Sequence, residues 1–221
     1  MYINYPKNWP QTASEAVALQ QELRSQVVLT DQIGPVNHVA GVDVGFEEDG
    51  TVTRAAVVVL TFPELQLVES SLARKPTTFP YIPGLLSFRE IPALLEALEQ
   101  LQTNPDLILV DGMGIAHPRR LGIASHLGIL IDKPTIGVGK SLLVGKYEMP
   151  AMEKGSWEPL IHKQETIGAV LRTRDKINPL FISTGHKVSL PTAIDYVMRC
   201  TTKYRLPETT RLAHNLASRK K

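Results

Sequence analysis

Val39-Ala-Gly-Val-Asp-Val-Gly-Phe46, Thr51-Val-Thr-Arg-Ala-Ala-Val-Val-Val-Leu60 and Leu65-Gln-Leu-Val-Glu-Ser-Ser-Leu72 follow one another with only short links. Residues of this kind suit the pleated, half-buried surface of a strand. Asp49-Gly50 between the first two is a strong hairpin signal. Phe62-Pro63-Glu64 separates the second pair. The three runs predict an antiparallel meander. Asp43 stands out in the first of them, flanked by Val42 and Val44. A carboxylate there is costly to bury without a partner or a metal ion, unless it faces water at a turn or an edge.

Upstream, Thr12-Ala-Ser-Glu15 has the form of a capping box. Ala16, Leu19, Leu23 and Val27 then recur at helical spacing, and Gly34-Pro35 ends the segment. Downstream the period changes. Ile91, Leu94, Leu95 and Leu98 lie on one face of a helix expected over 87–101, with Pro92 tolerable only in its first turns. A short buried strand is expected over 106–110, a helix over 121–131 and a strand over 135–138. Gly and Pro cluster over 137–159, which reads as a long functional loop. Strands over 166–173 and 180–184 precede helices near 191–203 and 207–218. A meander followed by helices alternating with parallel-type strands is an α/β arrangement. The order resembles the ribonuclease H-like mixed sheet flanked by helices, built as a single domain over 1–221.

Composition narrows the classes. Of 221 residues, 43% are apolar and 21% charged, enough apolar residues for a full core rather than a disordered chain. Cys200 is the only cysteine, which excludes an internal disulfide or a Cys-based zinc site. The longest wholly apolar run, 55–60, is far short of a membrane span. The first seven residues lack the regions of a secretory signal, so a soluble cytoplasmic protein, monomeric by default, is expected. Lys and Arg number 24 against 22 Asp and Glu, which excludes a uniform polycation. The charge is nonetheless uneven. Residues 199–221 hold seven basic residues and one acid, so a body of −4 carries a tail of +6. A basic end of this kind suits a polyanion, and equally a solvated last helix.

The carboxylates gain meaning as a set. Asp111 ends the run Leu107-Ile-Leu-Val110. If the first strand and the first parallel strand are neighbours, Asp43 and Asp111 face one another, and a hard divalent cation is the usual remedy for their repulsion. Glu90, near the start of the helix over 87–101, is a third candidate, although a first-turn Glu also favours the helix dipole. Mg2+, with Mn2+ as a substitute, suits such oxygen ligands and phosphate chemistry. Gly139-Lys-Ser141 has the ending of a phosphate-binding P-loop, but Pro134 stands where that motif needs glycine. An ATPase is therefore excluded.

Longer motifs carry a resemblance. Gly41-Val-Asp-Val-Gly45, Pro80-Tyr-Ile-Pro-Gly-Leu-Leu-Ser-Phe-Arg-Glu90 and Asp111-Gly-Met-Gly-Ile-Ala-His-Pro-Arg-Arg-Leu-Gly-Ile-Ala-Ser-His126 are similar to endonuclease V. Gly137-Val-Gly-Lys-Ser141, Ser183-Thr-Gly-His186 and Arg211-Leu-Ala-His214 continue the match in order, so it covers essentially the whole chain. The resemblance implies a Mg2+-dependent enzyme that nicks one strand of DNA, in some members RNA, at the second phosphodiester bond 3′ to a hypoxanthine base. Asp43, Asp111 and Glu90 would form the metal centre. Lys140 would contact the scissile phosphate or steady the attacking water, and His214 would stand beside the metal or carry a proton. Pro80, Tyr81, Ile82 and Pro83 would form a wedge at the lesion, unless Tyr81 is buried in a core loop. Gly84, Leu86, Gly112, Gly114 and Ile123 would shape the base pocket, with His117 near it. Backbone amides at Gly112 or Gly114 would distinguish hypoxanthine from adenine. Arg119, Arg120 and Lys140, with the basic C-terminal segment, would hold phosphates without reading sequence. The partner would be deoxyinosine-containing DNA or inosine-containing RNA. Another ribonuclease H-like nuclease, such as a junction resolvase, and a non-catalytic lesion binder are the rival readings.

Overall fold

The three opening runs form the meander they predict: β1 (His38–Glu47), β2 (Val52–Thr61) and β3 (Leu67–Pro76) pair antiparallel. The computed structural model describes residues 3, 4 and 8–218, so Arg219, Lys220 and Lys221 of the basic tail lie outside the described residues. The β1–β2 turn is longer than a two-residue Asp-Gly hairpin, because Glu48, Asp49 and Gly50 all take positive φ. The Thr51 N–H closes it onto the Glu48 carbonyl at 3.1 Å. Leu65 belongs to the next turn, with φ of 57°, so β3 starts and ends later than its apolar run suggests. It is an edge strand, and Arg74 and Lys75 near its end are the charges such edges carry.

Ahead of the meander, α1 (Ala13–Leu23) starts at the expected capping box, with Thr12 and Glu15 bonded reciprocally. It ends before Val27, in a short 3-10 turn. After the meander come α2 (Leu86–Glu99), β4 (Leu107–Asp111), α3 (Ile123–Ile131) and β5 (Thr135–Gly139). Pro92 is the seventh residue of α2, deeper than sequence reasoning allows. Proline cannot donate to the carbonyl four residues back. Trp9 takes its place, donating its indole N–H to the Phe88 carbonyl at 2.9 Å.

The Gly- and Pro-rich stretch 137–159 is only partly loop. Its first residues complete β5 and its last begin β6 (Trp157–His162), a strand missing from the sequence-based expectation. β7 (Glu165–Leu171) and β8 (Leu180–His186) follow, then α4 (Leu190–Arg199) and α5 (Glu208–Ser218). One eight-stranded mixed sheet results, in the order β3-β2-β1-β4-β5-β8-β7-β6. β4 runs parallel to β1 and β5, whereas β8, β7 and β6 form a second antiparallel group. The architecture is the ribonuclease H-like α/β sheet flanked by helices. No helix among the described residues is long and apolar enough to cross a membrane.

Strand alternation divides the core. Ala40, Val42, Ile108 and Val110 pack with Leu94, Leu98 and Leu127 of α2 and α3. Val39, Leu107, Leu109 and Ile136 pack on the other face with Ile194, Val197 and Ala213 of α4 and α5. Gly41 shares the second face, and there α5 lies against the bare backbone of β1. A Cβ on Gly41 would be driven into the Thr209 carbonyl. This close approach brings His214, one and a half turns along α5, over Asp43. Gly41→Ala should therefore push α5 outward and destabilise the fold by about 3 kcal/mol, the upper end for overpacking. Urea denaturation measures this, and an unchanged midpoint would show that the helix yields freely.

Candidate active site

Register sets the centre. Val42 of β1 pairs with Val110 of β4, so the next residues, Asp43 and Asp111, are neighbours where β4 ends. Both side chains are largely buried, at 12% exposure. His214 donates from or accepts at Nδ1 across 2.7 Å to Asp43 Oδ2, while Asp43 Oδ1 accepts the Val44 N–H at 2.8 Å. The Lys140 ammonium forms an ion pair with Asp111 Oδ2. Ligand atoms of Asp43, Asp111 and His214 all lie within 4.8 Å of one another.

Glu90 comes from the first turns of α2 and lines the same crevice as Asp43 and Asp111. It is outside the tight donor group, which holds His214 where the sequence suggested Glu90. The centre acts on it electrostatically. Burial, then the charges of Asp43 and Asp111, push its carboxyl up to about 8. Burial and Asp43 also raise Asp111 above the usual carboxylate range, against the pull of Lys140 and His214. A crowd of carboxylates that resists ionising is what a divalent cation relieves. Two carboxylates and one imidazole fit such an ion, Mn2+ as well as Mg2+.

A cavity of about 360 Å³ opens beside the centre. Glu90, Asp111 and Lys140 line it together with Gly84, Leu86, Gly112, His117 and Ile123. Gly114 does not line it. That glycine sits under β8, and its N–H donates to Ser183 Oγ at 2.9 Å. The Gly112 N–H donates to the Val138 carbonyl at 3.3 Å. The Gly112 amide is thus committed to the sheet and the Gly114 amide to a serine hydroxyl, so neither is free to read a base as the sequence suggested.

Pro80, Tyr81 and Pro83 are exposed, with Tyr81 at 68%, so Tyr81 is not a core residue. Half-buried Ile82 packs with Phe79, Leu85 and Phe88 and anchors the loop. Arg89 holds its start, donating to the Phe79 carbonyl at 3.4 Å. The two arginines expected on phosphates are scaffold instead. Arg119 donates to Gln20 Oε1 and to the Gly84 carbonyl. Arg120 pairs with Glu165 at 2.7 Å and bonds the carbonyls of His117 and His162. Within the basic segment, Arg211 pairs with Glu208, and Arg205 donates to the Lys140 carbonyl at 3.0 Å. Among the described residues expected to contact phosphate, Lys140 is the one whose charge meets the acidic centre.

Sequence reasoning missed Gln20, Arg205 and the cavity residues Met113, Gly122, Leu142 and Leu143. Gln20 left a trace, since it interrupts the apolar face between Ala16 and Leu23. Arg205 left none that separates it from the rest of the basic tail.

The raised Glu90 carboxyl makes stability pH-dependent. Between about pH 4.5 and 8 the folded chain keeps a proton that the unfolded chain has lost. This contribution is complete below 4.5 and disappears as pH rises to 8. In the metal-free protein, Glu90→Gln should flatten the decline. Urea midpoints across this window measure the effect, and equal slopes for both proteins would contradict it.

The comparisons agree with this geometry. The Endonuclease V family model matches residues 21–215. A protein described as endonuclease V from Trichormus variabilis is 67% identical over 219 residues, covering 99% of each chain. The crystal structure of endonuclease V from Streptomyces avermitilis superposes with a TM-score of 0.91 at 45% identity, over 98% of this chain and 96% of that one. Ciona intestinalis endonuclease V, in complex with a 24mer DNA containing an inosine followed by a ribo-adenosine, is 30% identical. It has a TM-score of 0.80 and covers 92% of this chain and 95% of its own. With nearly its whole length matched in sequence and in fold, the chain belongs to the endonuclease V family of phosphodiester-hydrolysing nucleases.

Proposed function

We propose that the protein recognises deoxyinosine in DNA and, with Mg2+ bound, hydrolyses the second phosphodiester bond 3′ to it, nicking one strand. The observation that carries this reading is the placement of three parts on one surface. An exposed Tyr81 loop runs into a cavity at Gly84, and Glu90, Asp111 and Lys140 of the acidic centre line that cavity. At about 360 Å³ the cavity is near the small end of ligand pockets, which run from roughly 300 Å³ upward, and suits a single extruded base.

Each residue has a task in this chemistry. Tyr81, stiffened by Pro80 and Pro83, fills the space that a displaced base leaves. Asp43, Asp111 and His214 would hold the metal, and Glu90 on the crevice wall, its carboxyl pushed up to about 8 by burial and the two aspartates, would ionise once a bound cation offsets their charge. The metal ion, when bound, acidifies water and offsets charge on the phosphate. Lys140 presents a cation to a phosphate oxygen, and Arg205 fixes its backbone. As an alternative to holding the metal, His214, 45% exposed, would carry a proton between the centre and solvent. These tasks suit a monomeric, single-domain enzyme working in the cytoplasm.

A second substrate has its own support. The Ciona relative is bound to a strand with a ribo-adenosine after its inosine. Inosine-containing RNA is therefore the alternative for this chain. Family membership displaces the junction resolvase and the non-catalytic binder.

The test is a cleavage map on matched DNA and RNA strands carrying one inosine, with and without Mg2+. A Mg2+-dependent cut at the second bond 3′ to deoxyinosine is expected; inosine DNA left uncut would overturn the reading. Asp43→Ala should lose on the order of 1,000-fold in rate, as several kcal/mol of metal stabilisation implies. Tyr81→Ala should lower the preference for inosine without changing the Mg2+ requirement, and an unaltered preference would refute the wedge.

A further inference from the structure

One backbone oxygen gathers three side-chain donors. The Gly84 carbonyl accepts from Gln20 Nε2 at 3.0 Å, His117 Nε2 at 3.0 Å and the Arg119 guanidinium at 2.7 Å. A carbonyl has two lone pairs, so this oxygen is saturated. Gln20 ties the donors together. Its Oε1 accepts from Arg119 Nε, and its amide also donates to the Leu121 carbonyl at 3.2 Å. His117 Nδ1 accepts the Arg119 N–H at 3.2 Å, which closes the ring of contacts. Burial and the two neighbouring arginines lower His117 to about 4, so its Nε2–H remains the donor at neutral pH.

The position of Gln20 is unusual for its face of the helix. It is 1% exposed, between buried Ala16 and Leu23 on α1, where an aliphatic side chain would meet the packing requirement. Burying an amide is costly unless it is bonded, and every group of this one serves a carbonyl or an arginine at the cavity. Gln20, Gly84, His117 and Leu121 all line that cavity. Gly84 itself adopts φ of 79°, a left-handed conformation that holds the turn from the Tyr81 loop into α2.

We propose that Gln20 is the positioning residue of lesion recognition: through Arg119 and the Gly84 carbonyl it fixes the spacing between the Tyr81 wedge and the base cavity. The proposal rests on the inosine-recognition reading above. Arg119 acts here as a strut between α1 and the wedge loop. Without the clamp the wedge still enters the strand, but the displaced base no longer meets the cavity at one set distance. Misplacement by about an ångström can cost on the order of 100-fold in a positioned reaction.

The test compares kcat/KM on strands of one sequence carrying inosine or adenine, for wild type, Gln20→Leu, Arg119→Lys and the double variant. Thermal denaturation checks folding, and the Mg2+ concentration giving half-maximal rate reports on the metal centre. The inosine-to-adenine ratio should fall by about 10- to 100-fold in each single variant, with the half-maximal Mg2+ unchanged. The double variant should lose no more than the worse single, because both break one unit. If Gln20→Leu does not fold, Arg119→Lys decides. A ratio kept within about twofold in a folded variant, or additive losses, would overturn the proposal alone. A wild-type enzyme without preference for inosine would overturn the underlying function and this proposal with it.

Discussion

Two carboxylates forced together are the constraint on which the rest of the molecule depends. Asp43 and Asp111 end up side by side because β1 and β4 are parallel and in register one residue earlier. Like charges with ligand atoms within 4.8 Å repel by roughly 3 kcal/mol even at an effective dielectric near 20. Two side chains answer that crowding. Lys140 comes from the end of β5 to Asp111, and His214 comes from α5 to Asp43. α5 reaches Asp43 only because Gly41 lets helix and strand backbones meet. The net charge of the chain conveys none of this. Acids concentrate at the candidate metal site, while Arg119, Arg120 and Arg205, expected to bind polyanion, brace loops instead.

Bracing of that kind recurs around the site. Arg89 holds the start of the Tyr81 loop, Arg119 and Gln20 hold its end, Arg205 holds Lys140 and Arg120 ties the 117–120 turn to the β6–β7 hairpin. Each contact runs from a guanidinium or an amide to a backbone carbonyl. Such bonds fix where a loop lies without filling space, which leaves Tyr81 exposed and the cavity open. A recognition surface made of loops gains the precision of a rigid element in this way.

Much of this was legible in the sequence, for identifiable reasons. The strand-suited runs with their short links and Asp-Gly signal pointed to the meander, and the capping box to the start of α1. Asp43 was visible as a charge in a valine run, and Asp111 as the end of another. Less was visible where a tertiary partner overrides a local rule. Pro92 fits inside α2 because Trp9 bonds the carbonyl that proline strands. β6 was hidden because Pro159 and Gly155 look like loop, although Gly155 lies just before the strand and an edge strand tolerates Pro159. Gly112 and Gly114 looked like a reading head for a base, yet their amides already serve the Val138 carbonyl and the Ser183 hydroxyl. His214 was expected beside the metal and Glu90 on it, whereas the distances put His214 in the donor group. Chain order says nothing about which of the two is closer.

The central claim is that Asp43, Asp111 and His214 form a divalent-metal site that serves the nuclease reaction. Its most direct test is anomalous diffraction from crystals soaked in Mn2+. The account predicts an anomalous peak bounded by the carboxylates of Asp43 and Asp111 and the His214 ring, lost in Asp111→Asn. A peak placed elsewhere, or one at this site that survives the substitution, would contradict it.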